Sequence, residues 1–424
     1  MKKTITIIII VFLILLGGVG YYLYVNSGNQ NVSSGKIFDS VKNFFPFGAP
    51  NSQTEPVSTN TSSSTNQNNN TTPVKIPRMF QISETPTAGF VAIDTTSTSS
   101  QISFNKEKNA TSSTTTKQIE TFVRFVERAT GHITEAKIPT LEKTRVSNIT
   151  IPKVYESFLN ASGTEFITRT LYGESIVTEY RKLTSGTSTA TSSQPTTYPY
   201  NTDIFITKGN SVFYTTKSST GSVGYIGTFD NKKPTQIFTT PLRDISASWN
   251  GGNIIEIFSK PNSVEAGFSF AVDIKKKTIK ESLSNILGLT INTNFDGTYS
   301  LYNTNVETLT LGAKQGATNT AYLLGIRTLP EKCVWSKKHA MIAYCVLPNY
   351  VEKVGLPEKW YQGVTSFNDA FWSVNVETGE QNLIYQPNSD GKIQPDGINL
   401  SLNDKENYLF FINKKDLSLW GLSL

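Results

Sequence analysis

Six times beyond residue 150 the chain repeats one short pattern: an extended apolar run, a tight polar turn, and a second apolar run that alternates. The copies fall at residues 157–167, 206–214, 248–257, 294–302, 334–344 and 401–411, as in Asn294-Phe-Asp-Gly-Thr-Tyr-Ser-Leu-Tyr302. An isolated hairpin cannot cover its apolar side chains, so such units must stack on one another. Recurrence at intervals of roughly 40–50 residues is the mark of propeller blades. The pattern therefore predicts an all-β chain, a seven-bladed β-propeller, with six or eight blades as the alternatives. It constrains shape far more than activity, because no catalytic or ligand-binding motif stands out along the chain.

Reading strands and turns forward gives the blade limits. Blade one uses residues 89–94, 120–127, 131–137 and 142–146, with a Ser/Thr-rich insertion at 95–117 between its first two strands. Blades two to six occupy 154–200, 203–239, 244–283, 289–326 and 332–386, with a second Ser/Thr insertion at 184–197. Blade seven begins at Ile398, and three strands fill the chain to Leu424. Its fourth strand is expected at residues 78–82, Arg-Met-Phe-Gln-Ile. That pairing joins the two ends of the domain and covers an otherwise open sheet edge. Trp249, Phe295, Trp335 and Leu402 take the same place in their copies, just before the turn, and are expected to pack between blades.

The N-terminus is of another kind. Met1-Lys2-Lys3-Thr4 precedes an uncharged apolar stretch at 5–25, long enough at 1.5 Å per helical residue to cross a ~30 Å hydrocarbon core. Lys2 and Lys3 favour a cytoplasmic N-terminus, so residues 1–25 are expected to be a signal anchor of a single-pass membrane protein whose remainder is extracytoplasmic. A cleaved secretory signal is the alternative; the absence of a small-residue cleavage site argues for the anchor. Residues 26–73 read as a flexible Ser/Thr/Asn linker, too polar to offset the entropy of ordering. Within it, 36–45 places Ile37, Phe38, Val41, Phe44 and Phe45 on one helical face, either an interfacial amphipathic helix or a briefly structured piece of linker. Residues 74–424 form the propeller ectodomain.

The repeats resemble the WD40-like propeller repeats of the Tol-type periplasmic class, in which a Ser-Pro-Asp-Gly turn precedes a strand rich in Tyr and Phe. Asn294-Phe-Asp-Gly297 comes nearest to that turn, and the other copies depart from it. Residues 78–90 and 124–133 are similar to segments of uncharacterised membrane-anchored propeller proteins of uncultured small-genome bacteria. The resemblance spans most of 74–424 and implies a propeller without bringing any activity or site residue.

The chemistry on offer is sparse. Charged residues are 17% of the chain and the formal charge of +6 is scattered, which argues against a nucleic-acid partner. Cys333 and Cys345 flank one predicted hairpin. A cross-strand disulfide is expected, with two free thiols in shifted register as the alternative. With only His339 near them, they do not suggest a metal site, and no cofactor is implied. His132 and His339 are the only histidines, neither beside a recognisable nucleophile, so no catalytic residue is assigned. The insertion at 348–365 carries Tyr350, Trp360 and Tyr361 and is expected either to recognise a partner or to fold back as a lid.

The expected role is a membrane-anchored, extracytoplasmic module that binds a protein or envelope glycan and does no catalysis, its oligomeric state left open. The alternatives are an extracytoplasmic hydrolase with its site in the central funnel and a structural subunit of an envelope complex.

Overall fold

Seven antiparallel sheets, each of four strands along its main path, follow one another in chain order, as the computed structural model shows for residues 77–105, 110–184, 191–387 and 393–424. In every blade but the last, the four strands follow one another along the chain, with one short extra strand, Thr191–Ser192, before the fourth strand of blade two. Blade seven takes Gly397–Leu402, Tyr408–Asn413 and Leu419–Ser423 from the C-terminus and Met79–Ser83 from the N-terminal side, in the order that closes the ring. Met79 faces Leu422, Phe80 faces Gly421 and Gln81 faces Trp420 across that last ladder. The seven-bladed propeller is thus established. The stretches expected to form the anchor, 5–25, and the amphipathic helix, 36–45, lie outside the described residues. No helix among the described residues is long and apolar enough to cross a membrane.

Sequence decides which strand goes where in a blade. Second strands such as Ile254–Ser259 and Tyr408–Asn413 are mostly apolar, the buried Glu256 being an exception, and they are buried because neighbouring blades cover both their faces. Fourth strands such as Thr278–Leu287 are mostly polar and exposed at the rim. Each of the seven seams then has its own core. Phe80, Phe125 and Phe410 fill the seam between blades seven and one, while Trp335, Leu311 and Val374 fill that between five and six.

A polar side chain ends the first strand in most blades and folds the turn back. Asn160 Oδ1 accepts from the backbone N–H of Thr164 and Glu165, Asn403 Oδ1 from Asn407 and Tyr408, and Ser336 Oγ from Lys338 and His339. These turns also tie each blade to the next. Ala161 N–H donates to Gly209 O, Asn294 Nδ2 to Ala340 O, Lys337 N–H to Glu406 and Asn403 Nδ2 to Asp94.

Two expectations are corrected. Phe295 is not inter-blade core but 64% exposed, because Asn294 ends its strand and pushes the following residue into the turn; Trp249, Trp335 and Leu402 are buried. The 95–117 stretch does not simply separate two strands. It prolongs them, and Thr87–Asn105 pairs with Ala110–Glu127 without interruption from Gly89↔Val126 to Asn105↔Ala110.

Ring closure makes a testable prediction. Phe80→Ala removes a buried ring from the closing seam and should cost about 3–5 kcal/mol in urea unfolding, whereas Tyr155→Ala, at a half-exposed site, should stay near zero. Equal midpoints for the two variants would contradict closure as the source of stability.

Candidate functional site: the central funnel and its lid

Antiparallel order gives the propeller two unlike faces. First-to-second and third-to-fourth turns share one, called here the turn face. Second-to-third loops and the connections between blades share the other, the loop face. First strands line the axis, where those of blades three to seven surround a cavity of about 690 Å³. Ile206, Ala247, Ile291, Val334 and Leu400 form its mostly apolar wall.

At the loop face, the insertion between Ile342–Pro348 and Asp369–Asn375 bends inward, and its one short helix, Glu358–Tyr361, contributes Glu358 and Tyr361 to the funnel wall. The apolar residues of this segment explain the bend. Val351, Leu356, Trp360 and Phe367 form a separate small core with Leu309 and Leu329. Polar contacts to four blades hold it there. Glu358 Oε1 accepts from Ser263 N–H and Oγ–H at 2.6 and 2.9 Å, and Asn305 Nδ2 donates to Leu356 O at 2.6 Å. Tyr361 donates its hydroxyl to Glu331, and Trp360 donates its indole N–H to Asp396 at 3.0 Å.

Behind the lid lies a wholly buried ionic group. Lys332 Nζ reaches Asp369 at 2.7 Å and Asp396 at 2.6 Å, and donates to Gly397 O at 3.1 Å. Asp369 also accepts from Gly397 N–H, and Asp396 from Phe367 N–H. The ammonium sits 5.4 Å from the ring centroids of both Trp360 and Phe367. Two carboxylates share one cation in this dry site. Burial is the main cause that pushes Asp369 up to about 6, with Lys332 opposing and Asp396 adding. Glu331, on the funnel side, is raised by burial, against the hydrogen bonds from Tyr361 and Thr290. The Tyr361 phenol lies well above its ordinary range through burial and the nearby Glu331 charge. At the opposite end of the funnel, Lys208 is an exposed residue whose ammonium is lowered by partial desolvation and by Lys337.

The sequence-derived candidates separate. Tyr350 is 76% exposed on the loop face. Trp360, a candidate contact residue, is buried at 4% exposure, as the fold-back alternative for this insertion had it, because Asp396 and the lid core claim both its N–H and its rings. Tyr361 stands between, its hydroxyl engaged and its ring partly open. Cys333 and Cys345 face each other across paired strands, with Cα atoms 4.0 Å apart, and are joined as a disulfide. His132 lies 3.2 Å from the Thr150 hydroxyl and 4.0 Å from Glu127, the latter longer than a hydrogen bond. No group of metal-ligating side chains occurs among the described residues. Sequence reasoning missed Lys332, Asp369 and Asp396. Their separations of 37 and 64 residues follow no local spacing rule, though a lysine opening an apolar first strand was a visible anomaly.

No protein-family model matches the chain. No curated protein matches it either. Solved structures similar in fold include TolB from Acinetobacter baumannii, at 8% identity and a TM-score of 0.38 over 78% of this chain and 80% of that one. Another is an oligogalacturonate lyase in complex with manganese, at 11% identity and a TM-score of 0.34 over 72% of this chain and 74% of that one. Likenesses this distant add nothing to the architecture already given by the sheet order.

Two outcomes are expected of the buried ions. Lys332→Met leaves two carboxylates without their cation and should cost about 3–5 kcal/mol at neutral pH by urea unfolding. Asp369 binds its proton more tightly folded than unfolded, so its share of stability is present in full below its ordinary 3.8 and is lost as pH rises towards about 6. Asp369→Asn should flatten the stability profile across that window; a profile identical to the parent's would contradict the assignment.

Proposed function

We propose that the propeller is a non-catalytic binding module, held outside the cytoplasmic membrane by its N-terminal segment, and that its loop face docks a protein partner. One observation carries this reading. Of the seventeen large hydrophobic residues that are exposed among the described residues, eleven lie on or next to the loop face, including Tyr172, Tyr200, Val264, Val306, Tyr350 and Val364. They come from blades two, four, five and six, and a surface that was only solvated would not gather them on one side. Four are valines, which suit an apolar protein surface better than a sugar, whose recognition favours aromatic faces. The lid supports the same role: its ties to four blades fix Tyr350 and Val364 on an ordered platform, reducing the entropy lost on docking.

The test is crosslinking in native membranes of the full chain, its Tyr350→Ser/Val364→Ser variant, and a Phe295→Ser control on the turn face. A protein adduct present in the parent and control but lost in the double variant is the expected result. An adduct that survives the double variant moves the contact elsewhere, and a glycan adduct replaces the protein reading. For localisation, deleting residues 2–25 should shift the protein out of the membrane fraction; retention there would contradict the anchor.

A further inference from the structure

The lid end of the funnel presents two carboxylates to a cavity whose wall is otherwise mostly apolar. Glu331 and Glu358 both line this space of about 690 Å³, and each is half-buried, as a side chain facing an open cavity must be. Tyr361 joins them: it stands one helical turn beyond Glu358 and donates its hydroxyl to Glu331 Oε1. Neither carboxylate is free to turn away. The Thr290 hydroxyl holds Glu331 Oε2 at 3.1 Å, and Ser263 holds Glu358 Oε1 through both its N–H and its hydroxyl.

Glu358 is still short of a donor. Its other oxygen, Oε2, is closed to water and has no hydrogen-bond partner among the described residues. A carboxylate oxygen left in that state carries the cost of lost hydration with nothing in return. An ammonium bound against this wall brings three N–H donors and a full charge, enough to serve Glu358 and the remaining lone pairs of Glu331 together. No cation of the protein does this. Among the described residues no lysine or arginine forms an ion pair with either glutamate. Lys332, which acts on Glu331 from behind the lid, is shared by Asp369 and Asp396, so that group adds no net positive charge. Lys208 and Lys260 also line the cavity, but both are exposed and keep their water.

The rest of the wall selects the kind of cation. Ile206, Ala247, Ile291, Val334 and Leu400 run around the axis below the carboxylates, a surface that suits an apolar body. No third metal-ligating side chain joins the two glutamates among the described residues, which favours an organic ammonium over a metal ion. We propose that the funnel binds an organic amine, a protonated ammonium on an apolar body, with Glu331 and Glu358 holding the ammonium and the first strands covering the body. This site lies inside the funnel and the protein-docking surface outside the lid, and each stands or falls without the other.

The test is calorimetric titration of the full chain with tryptamine, an apolar indole carrying an ammonium, beside two comparison ligands. Indole-3-propionate keeps the body with a negative charge, and methylamine keeps the charge without the body. Saturable tryptamine binding is expected, at least about tenfold tighter than that of either comparison ligand. Glu331→Gln preserves the shape of the side chain and should weaken tryptamine about tenfold, and Glu358→Gln should weaken it as well. Tyr350→Ser/Val364→Ser, on the outside of the lid, should leave it unchanged. No saturable tryptamine binding by the parent, or binding unchanged in both glutamine variants, overturns the proposal. Equal binding of indole-3-propionate overturns the charge assignment, and equal binding of methylamine overturns the apolar one. Both comparisons are made on the parent chain, so they decide the matter even where a variant fails to fold.

Discussion

Coverage of both faces of every blade is the constraint on which the rest of this structure depends. A four-stranded sheet with apolar second strands is stable here only between two others, and the last is covered only when the ring closes. The closing ladder supplies that condition, with Phe80 seated over Gly421, where an added Cβ would stand 2.5 Å from the Phe80 ring. A glycine is needed at that point for packing, not for a turn. Once the ring is shut, the first strands are forced around an axis, and the funnel follows from closure without any residue being chosen to hollow it out.

The lid shows how a polar group can organise an irregular segment. Residues 349–368 form little regular structure, so their backbone groups and side chains must find partners one by one. Asp396 collects several of them, accepting from Trp360, Phe367 and Lys332 at once. A buried ion group of this sort contributes little net stability compared with an apolar core of the same volume. What it contributes is a single arrangement, since any other placement of the lid would leave a charge unpaired in a dry site. Burial, with Asp396 adding, makes Asp369 take up a proton more readily than an exposed carboxylate, so the group favours the folded state more in mild acid than at neutral pH.

Much of the fold was legible because hairpin strands alternate, second strands are apolar, and turns carry Asn, Ser and Gly. The aromatic residue before the turn is a poorer register mark than the polar residue that ends the strand. Taking Phe295 as the equivalent of Trp249 moved an exposed ring into the core, whereas Asn294 aligned with Asn250 puts it in the turn. The long ribbon of blade one was hidden for a related reason: Ser and Thr on both faces give no apolar alternation, so its pairing was invisible in hydropathy. Sequence left Trp360 open between contact and lid because its determinants, Leu329 and Asp396, are distant in sequence, and only the fold brings them together.

The position of the closing strand has a mechanical consequence. Chain entering at Arg78 runs directly into the outermost strand of blade seven, and Arg78 O accepts from Ser423 N–H at 2.8 Å beside the C-terminus. Tension between the two termini would therefore part this ladder from its end, one bond after another. Tension between the N-terminus and something gripped on the opposite face would instead slide Met79–Ser83 along Leu419–Ser423, loading all its bonds at once. The same strand is thus a zipper in one direction and a shear clamp in the other, so the propeller yields or holds according to where it is pulled.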